Sequence, residues 1–269
     1  QPALAAGADA AAPDPVAAGR TAAAGCAGCH GETGVSKTPG MPSLTGLEPK
    51  TLIAAMKAYV DGQRKHDVMK SILANVTEAS MDNIALFYAA QKPARAPTPT
   101  AGDKIAGQAA ATACAGCHGA DGVSANPAFP SLAGQDATYL TTATLAYKQG
   151  SRADETMKAL VASLDDDTVK NLSAFYAAQE PKQPNIRKPL TEAEWAQRCD
   201  RCHGINGNSA DPRAPALAAQ RVDYLEKVLH DYRKGVRKGS AMAAMSDGLT
   251  EADVVNLAGH YARQRARAV

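Results

Sequence analysis

Cysteine use constrains this chain more than any other feature. All six cysteines fall in three Cys-x-x-Cys-His motifs, which end at His30, His118 and His203. Two thiols three residues apart can add across the two vinyl groups of one porphyrin, and the adjoining His then lies beneath the iron as its proximal ligand. The motifs therefore read as three sites of covalent haem c attachment. Cys26, Cys29, Cys114, Cys117, Cys199 and Cys202 are the thioether carriers, and His30, His118 and His203 are iron ligands. One alternative is a disulfide in each motif, which an oxidising compartment permits. Another is zinc, but a zinc site needs four ligands and each motif offers at most three.

Two further residue types recur in register. Counted from the first cysteine of each motif, a proline follows 16 residues on (Pro42, Pro130, Pro215) and a methionine 43 residues on (Met69, Met157, Met242), without an indel. A ligating His is normally oriented by a hydrogen bond from its second ring nitrogen, which a carbonyl beside each proline can accept. The opposite face of a soft, low-spin iron suits a thioether, which makes Met69, Met157 and Met242 the candidate sixth ligands. The competing reading of a methionine near a cofactor is core filler. Met41, Met56, Met81 and Met245 lack the recurrence and are assigned to packing, while His66, His230 and His260 are assigned to the surface or to local hydrogen bonds.

At this point the chain resembles class I cytochromes c, and most closely the cytochrome c4 group, whose members carry two such domains in tandem. The resemblance covers about residues 16 to 268. It rests on the three motifs and on segments such as Cys114-Ala-Gly-Cys-His-Gly-Ala-Asp-Gly-Val-Ser, Phe129-Pro-Ser-Leu-Ala-Gly-Gln and Tyr147-Lys-Gln-Gly-Ser-Arg152. It implies an all-α fold, His/Met ligation, a proline carbonyl on the proximal His and diffusible electron transfer. This chain departs from the group in having three repeats.

The motifs start 88 and then 85 residues apart, which predicts three small helical domains: 16–93, 94–181 and 182–269, after a mobile arm of residues 1–15. Domains of this size bury little core and need a staple, which covalent haem supplies. The porphyrin also explains why three Phe, eight Tyr and one Trp suffice as aromatic filling. Each repeat reads as a first helix (Val16 to Cys26, Lys104 to Cys114), the motif, a loop, helices around a Tyr-x-x-Gly-x-Arg segment, a methionine-bearing loop and a last helix. The resemblance implies a close crossing of the first and last helices, with Gly19 and Gly107 as the small residues that let Phe87 and Phe175 approach. The third repeat instead has Glu192 and His260, and its first helix opens with the capping-box pattern Thr191-Glu-Ala-Glu194. Proline-rich segments 92–100 and 180–189 read as linkers.

Tyr59, Tyr147 and Tyr232 recur in register, as do Arg64, Arg152 and Arg237. They are candidate partners of the haem propionates, with helix packing and a solvated guanidinium as the alternative. Basic and acidic residues number 8 and 8 over residues 1–93, 6 and 9 over 94–181, and 15 and 10 over 182–269, so the three stretches carry about 0, −3 and +5. Such asymmetry can steer encounter with a charged redox partner. The basic residues of the last repeat are interspersed with acids and lack aromatic neighbours, so nothing points to nucleic acid.

No apolar run approaches the roughly 18 residues of a membrane span. With no charged start followed by an apolar stretch, the chain reads as the mature form of an exported protein; the resemblance implies haem attachment outside the bacterial cytoplasmic membrane, and so a periplasmic protein, soluble or peripherally docked. The expected function is that of a triheme electron carrier between redox proteins such as a dehydrogenase, reductase or terminal oxidase, with no catalytic residue and no enzyme activity of its own. Two alternatives remain: an electron-transfer subunit of a dehydrogenase or reductase complex, and a haem enzyme or sensor with one open iron, for which the divergent third repeat is the place to look.

Overall fold

The computed structural model describes residues 12–267. The regular elements among those residues are all helices joined by loops, with no strand and one isolated antiparallel bridge between Arg64 and Arg152. In chain order the first repeat contributes α1 (Pro15–Ala22), α2 (Ala27–His30), α3 (Pro49–Val60), α4 (Asp67–Leu73) and α5 (Glu78–Ala89). The second contributes α6 (Lys104–Ala110), α7 (Ala115–His118), α8 (Ala137–Gln149), α9 (Glu155–Val161) and α10 (Asp166–Ala177). The third contributes α11 (Glu192–His203), α12 (Val222–Arg233), α13 (Ala241–Asp247) and α14 (Glu251–Arg263). Most of the predicted arm lies outside the described residues, and Pro15 already opens α1.

Two compact units result. One spans Gly19–Arg187 and holds nearly all of the first two repeats, and the other comprises, among the described residues, 188–267 together with 12–18. The predicted linkers carry no helix, yet within the larger unit they are packed down. The Ala96 amide donates to the Gly134 carbonyl at 2.8 Å, and the Gln183 side-chain amide donates to the Ala90 carbonyl at 2.9 Å.

The first helices differ from the expected continuous spans in two repeats. α1 stops at Ala22 and α6 at Ala110, because the chain tightens into i→i+3 bonds: Cys26 N to Ala23 O and Cys114 N to Ala111 O, both 2.9 Å. Only α11 runs unbroken from its cap to its His. It starts at a capping box in which Thr191 Oγ1 accepts from Glu194 N and the Glu194 carboxylate accepts from Thr191 N.

The predicted glycine-to-aromatic crossing is present in the larger unit. A Cβ built on Gly19 would overlap the Asn83 carbonyl and come within 2.8 Å of Phe87 Cβ; on Gly107 it would overlap the Asn171 carbonyl and reach 2.9 Å from Phe175 Cβ. In the third repeat α11 meets α14 through polar groups instead. Glu192, with 5% of its side chain exposed, accepts from His260 Nδ1 at 3.0 Å and lies 3.4 Å from Arg263 Nη2. The cores are small. Ala111, Leu140, Leu172, Phe175 and Tyr176 form that of the second repeat, and Leu225, Leu249, Val254, Leu257, Ala258 and Tyr261 that of the third. Cys114 and Cys199 pack at their edges.

Candidate haem-binding sites

Each motif sits on a single helical turn. His30 N donates to Cys26 O and His118 N to Cys114 O, both at 3.0 Å, which sets the His one turn beyond the first thiol. The turn ends at a glycine with positive φ: Gly31 (82°), Gly119 (81°) and Gly204 (73°). Any Cβ there would also overlap a backbone carbonyl, of Val35, Val123 and Asn208 respectively. All six cysteines are free thiols, and among the described residues no group of three or more His, Cys, Asp or Glu is placed to hold a metal ion.

The three His side chains are buried, and each ring is tied to the proline 12 residues on. His30 Nδ1 lies 2.8 Å from Pro42 O, His118 Nδ1 2.8 Å from Pro130 O, and His203 Nδ1 2.7 Å from Pro215 O. A carbonyl only accepts, so Nδ1 carries the proton and Nε2 keeps its lone pair. Burial also pushes the His30 imidazole down, against the pull of the Pro42 carbonyl toward the charged form.

A tyrosine that motif reading did not single out stands 62 residues after each first cysteine: Tyr88, Tyr176 and Tyr261. Burial raises the Cys26, Cys114 and Cys199 thiols, and these three hydroxyls partly offset the effect. The Tyr88 and Tyr176 hydroxyls are buried without a partner at hydrogen-bond geometry. In the third repeat the hydroxyl is satisfied: Tyr261 OH donates to Asp200 Oδ1 at 2.9 Å and lies 3.1 Å from Ala196 O. Asp200, which stands where the other motifs have Ala, also accepts from the amides of Asn206 (3.0 Å) and Gly207 (3.3 Å).

Met69, Met157 and Met242 are half-buried in the first turns of α4, α9 and α13. The side chain before each of the first two helices caps it. His66 Nδ1 accepts from Met69 N at 3.3 Å, and Asp154 Oδ1 from Met157 N at 2.8 Å. His230 and His260 bond carboxylates brought to them by packing rather than local groups: Glu251, 21 residues on (2.7 Å), and Glu192, 68 residues back (3.0 Å).

The recurrent Tyr and Arg side chains pair in all three repeats, with the guanidinium over the ring at 4.5 Å (Arg64 and Tyr59), 4.4 Å (Arg152 and Tyr147) and 5.7 Å (Arg237 and Tyr232). In the larger unit the first two pairs converge. Lys65 N donates to Ser151 O at 2.9 Å and Ala153 N to Gln63 O at 2.7 Å, while Arg64 Nη2 donates to Tyr139 OH at 2.7 Å. Burial pushes Tyr59 up to about 12, whereas Arg64 and Arg152 overcome burial at Tyr139 and hold it below the ordinary tyrosine range. Among the described residues neither Arg64 nor Arg152 is ion-paired with a carboxylate, whereas Arg237 lies 3.8 Å from Asp231 Oδ2.

Sequence reasoning also missed the contact that ties the first proline loop to the second repeat. Ser43 N donates to Gln135 Oε1 (2.7 Å), Gln135 Nε2 donates to Ser43 O (2.8 Å), and Gly40 N donates to Asp136 Oδ1 (2.8 Å). The partners are 92 to 96 residues apart, and no local pattern announces them.

The donor set fits haem c: a pair of thiols, an imidazole with Nδ1 already committed, buried hydroxyls lacking partners beside the thiols, and guanidiniums free of carboxylates. Comparison with known proteins agrees. Residues 103–184 match the model of the family described as cytochrome c, and residues 190–260 that described as cytochrome C oxidase, cbb3-type, subunit III. The chain is 37% identical over 149 residues to cytochrome c4 of Pseudomonas aeruginosa, covering 51% of this chain and 74% of that one. It is 31% identical to the thiosulfate dehydrogenase electron acceptor of Thiomonas intermedia, over 65% of this chain and 87% of that protein. The crystal structure of cytochrome c4 from Pseudomonas stutzeri superposes with a TM-score of 0.55 at 25% identity, covering 61% of this chain and 98% of that one.

Proposed function

Because the chain belongs to the c-type cytochromes of the cytochrome c4-like kind, we propose that it is a periplasmic electron carrier with three His/Met-ligated haems, one per repeat. The observation that carries this reading is the threefold bond from a buried motif His to a proline carbonyl, with a methionine 43 residues after each first cysteine. Haem c supplies an iron that takes up and releases one electron at a time. The chain's part is to hold and tune it. The six cysteine sulfurs anchor it covalently. His30, His118 and His203 present Nε2 while the proline carbonyls hold the Nδ1 protons, which fixes ring orientation and makes the ligand more basic. Met69, Met157 and Met242 offer soft thioethers, which raise the potential relative to a second His. Arg64 and Arg152, half-buried beside tyrosines and without carboxylates, are suited to anionic propionates, as is Arg237 in the third repeat.

Nothing in this assignment requires a protein residue to make or break a substrate bond, so the chain acts as carrier rather than enzyme. No helix of the described residues is long and apolar enough to cross a membrane. The redox partners are proteins, and the electron-acceptor relative favours a sulfur-oxidising dehydrogenase as donor. A spectroscopic redox titration of the holo-protein, with haem content from its mass, tests the reading. Three haems with a far-red thioether-to-ferric-iron band that accounts for all three are expected. Two haems, or a band that accounts for only two, overturn it.

A further inference from the structure

The three methionine-bearing helices have seven residues each but are held unequally. α4 and α9 are latched at their first turn by the His66 and Asp154 side chains, each bonded to the amide of the methionine itself. In the third repeat the corresponding position is Gly239, with φ of 77° and nothing within 4 Å of a Cβ built on it. Ser240, the residue preceding α13, is of a type that caps well but makes no side-chain cap bond. A second difference lies at the other end of the same helix. Leu73 and Val161 close α4 and α9 as buried apolar side chains, whereas the residue in that register is Ser246, which is fully buried with an unpaired hydroxyl. Loss of a cap and burial of an unsatisfied hydroxyl both favour the open state of a short helix.

We propose that Met242 is the exchangeable ligand of the three, so that the third repeat holds a binding site for a small exogenous donor at its iron. The inference rests on the His/Met assignment. In the exchange the bond from Met242 sulfur to iron breaks and a bond from the incoming lone pair forms; no electron or proton moves, and the thioether leaves neutral. The movement required of the chain is the opening of α13.

Imidazole added to the oxidised holo-protein tests this, followed through the thioether-to-iron band and through hydrogen exchange of the α4, α9 and α13 amides. One third of the band is expected to vanish at an imidazole concentration on the order of tenfold below that which removes the rest. The α13 amides should exchange fastest. In a Ser240→Asp, Ser246→Ala variant, which supplies a cap and removes the orphan hydroxyl without adding volume inside, the first third should shift toward the other two. Loss of all three thirds together, or a first third that the variant does not move, overturns the proposal. A band that accounts for only two haems before imidazole is added shows instead that the ligand assignment in the third repeat has failed, and the proposal falls with it.

Discussion

Glu251 illustrates how one side chain combines several physical terms. It is the first residue of α14, its carboxylate meets Arg233 Nη1 at 2.6 Å and His230 Nε2 at 2.7 Å, and 24% of the side chain is exposed. Burial alone would raise its pKa, but the bonds from His230 and Arg233 outweigh burial and hold it below the ordinary value. A depressed carboxylate stabilises the fold above its unfolded pKa of about 4.3, and that stability is lost as the pH falls through the lower folded value. Glu251→Gln should therefore lower the denaturation midpoint of the holo-protein at pH 7, with the gap to the unaltered protein closing below about pH 4. Denaturant titrations at both pH values check this. Asp200 and Tyr261 belong to the same scale. The motif made the cysteines and His203 legible, but the carboxylate between the cysteines acquires a role only through Tyr261, 61 residues away.

Between helices the deciding quantity is the distance of closest approach. Gly107 lets α6 settle on α10 so tightly that a Cβ would overlap the Asn171 carbonyl. Because the obstacle is backbone, Gly107→Ala is expected to cost at least the roughly 1 to 3 kcal/mol of an overpacked core, read as a lowered unfolding midpoint of the larger unit. The equivalent contact in the third repeat, between Glu192 and His260, follows another logic, with a buried carboxylate compensated by His260 and Arg263. The substitution was visible in the sequence as a break in the pattern. Its resolution by a hydrogen-bonded pair was not, since a Glu and a His 68 residues apart in sequence meet only after α11 and α14 pack.

Across the whole molecule, three sequence repeats give two compact units, because the first two repeats share buried polar contacts. Gln135 is central to them: both atoms of its amide are spent on Ser43, next to the proline whose carbonyl holds His30. Gln135→Ala leaves the Ser43 amide and carbonyl without these partners, a loss of about 1 to 3 kcal/mol. Calorimetry of the holo-protein should resolve two transitions rather than three, and the variant should lower the one belonging to Gly19–Arg187 while the other stays in place. Equal displacement of both would show that the contact does not act within that unit.

The sequence by itself determined the attachment motifs, the proline that meets each motif His, the helical class of the fold and the repeat of about 85 residues. These are legible because they depend on spacing along one turn or one loop, where covalent geometry leaves few choices. Only the tertiary structure decided that Arg64 meets Tyr139, that Gln135 secures the loop of the neighbouring repeat, that Tyr261 bonds Asp200, and that α13 lacks the latch of α4 and α9. Such contacts join residues brought together by packing, and packing responds to shape and unpaired hydrogen-bonding groups rather than to order along the chain.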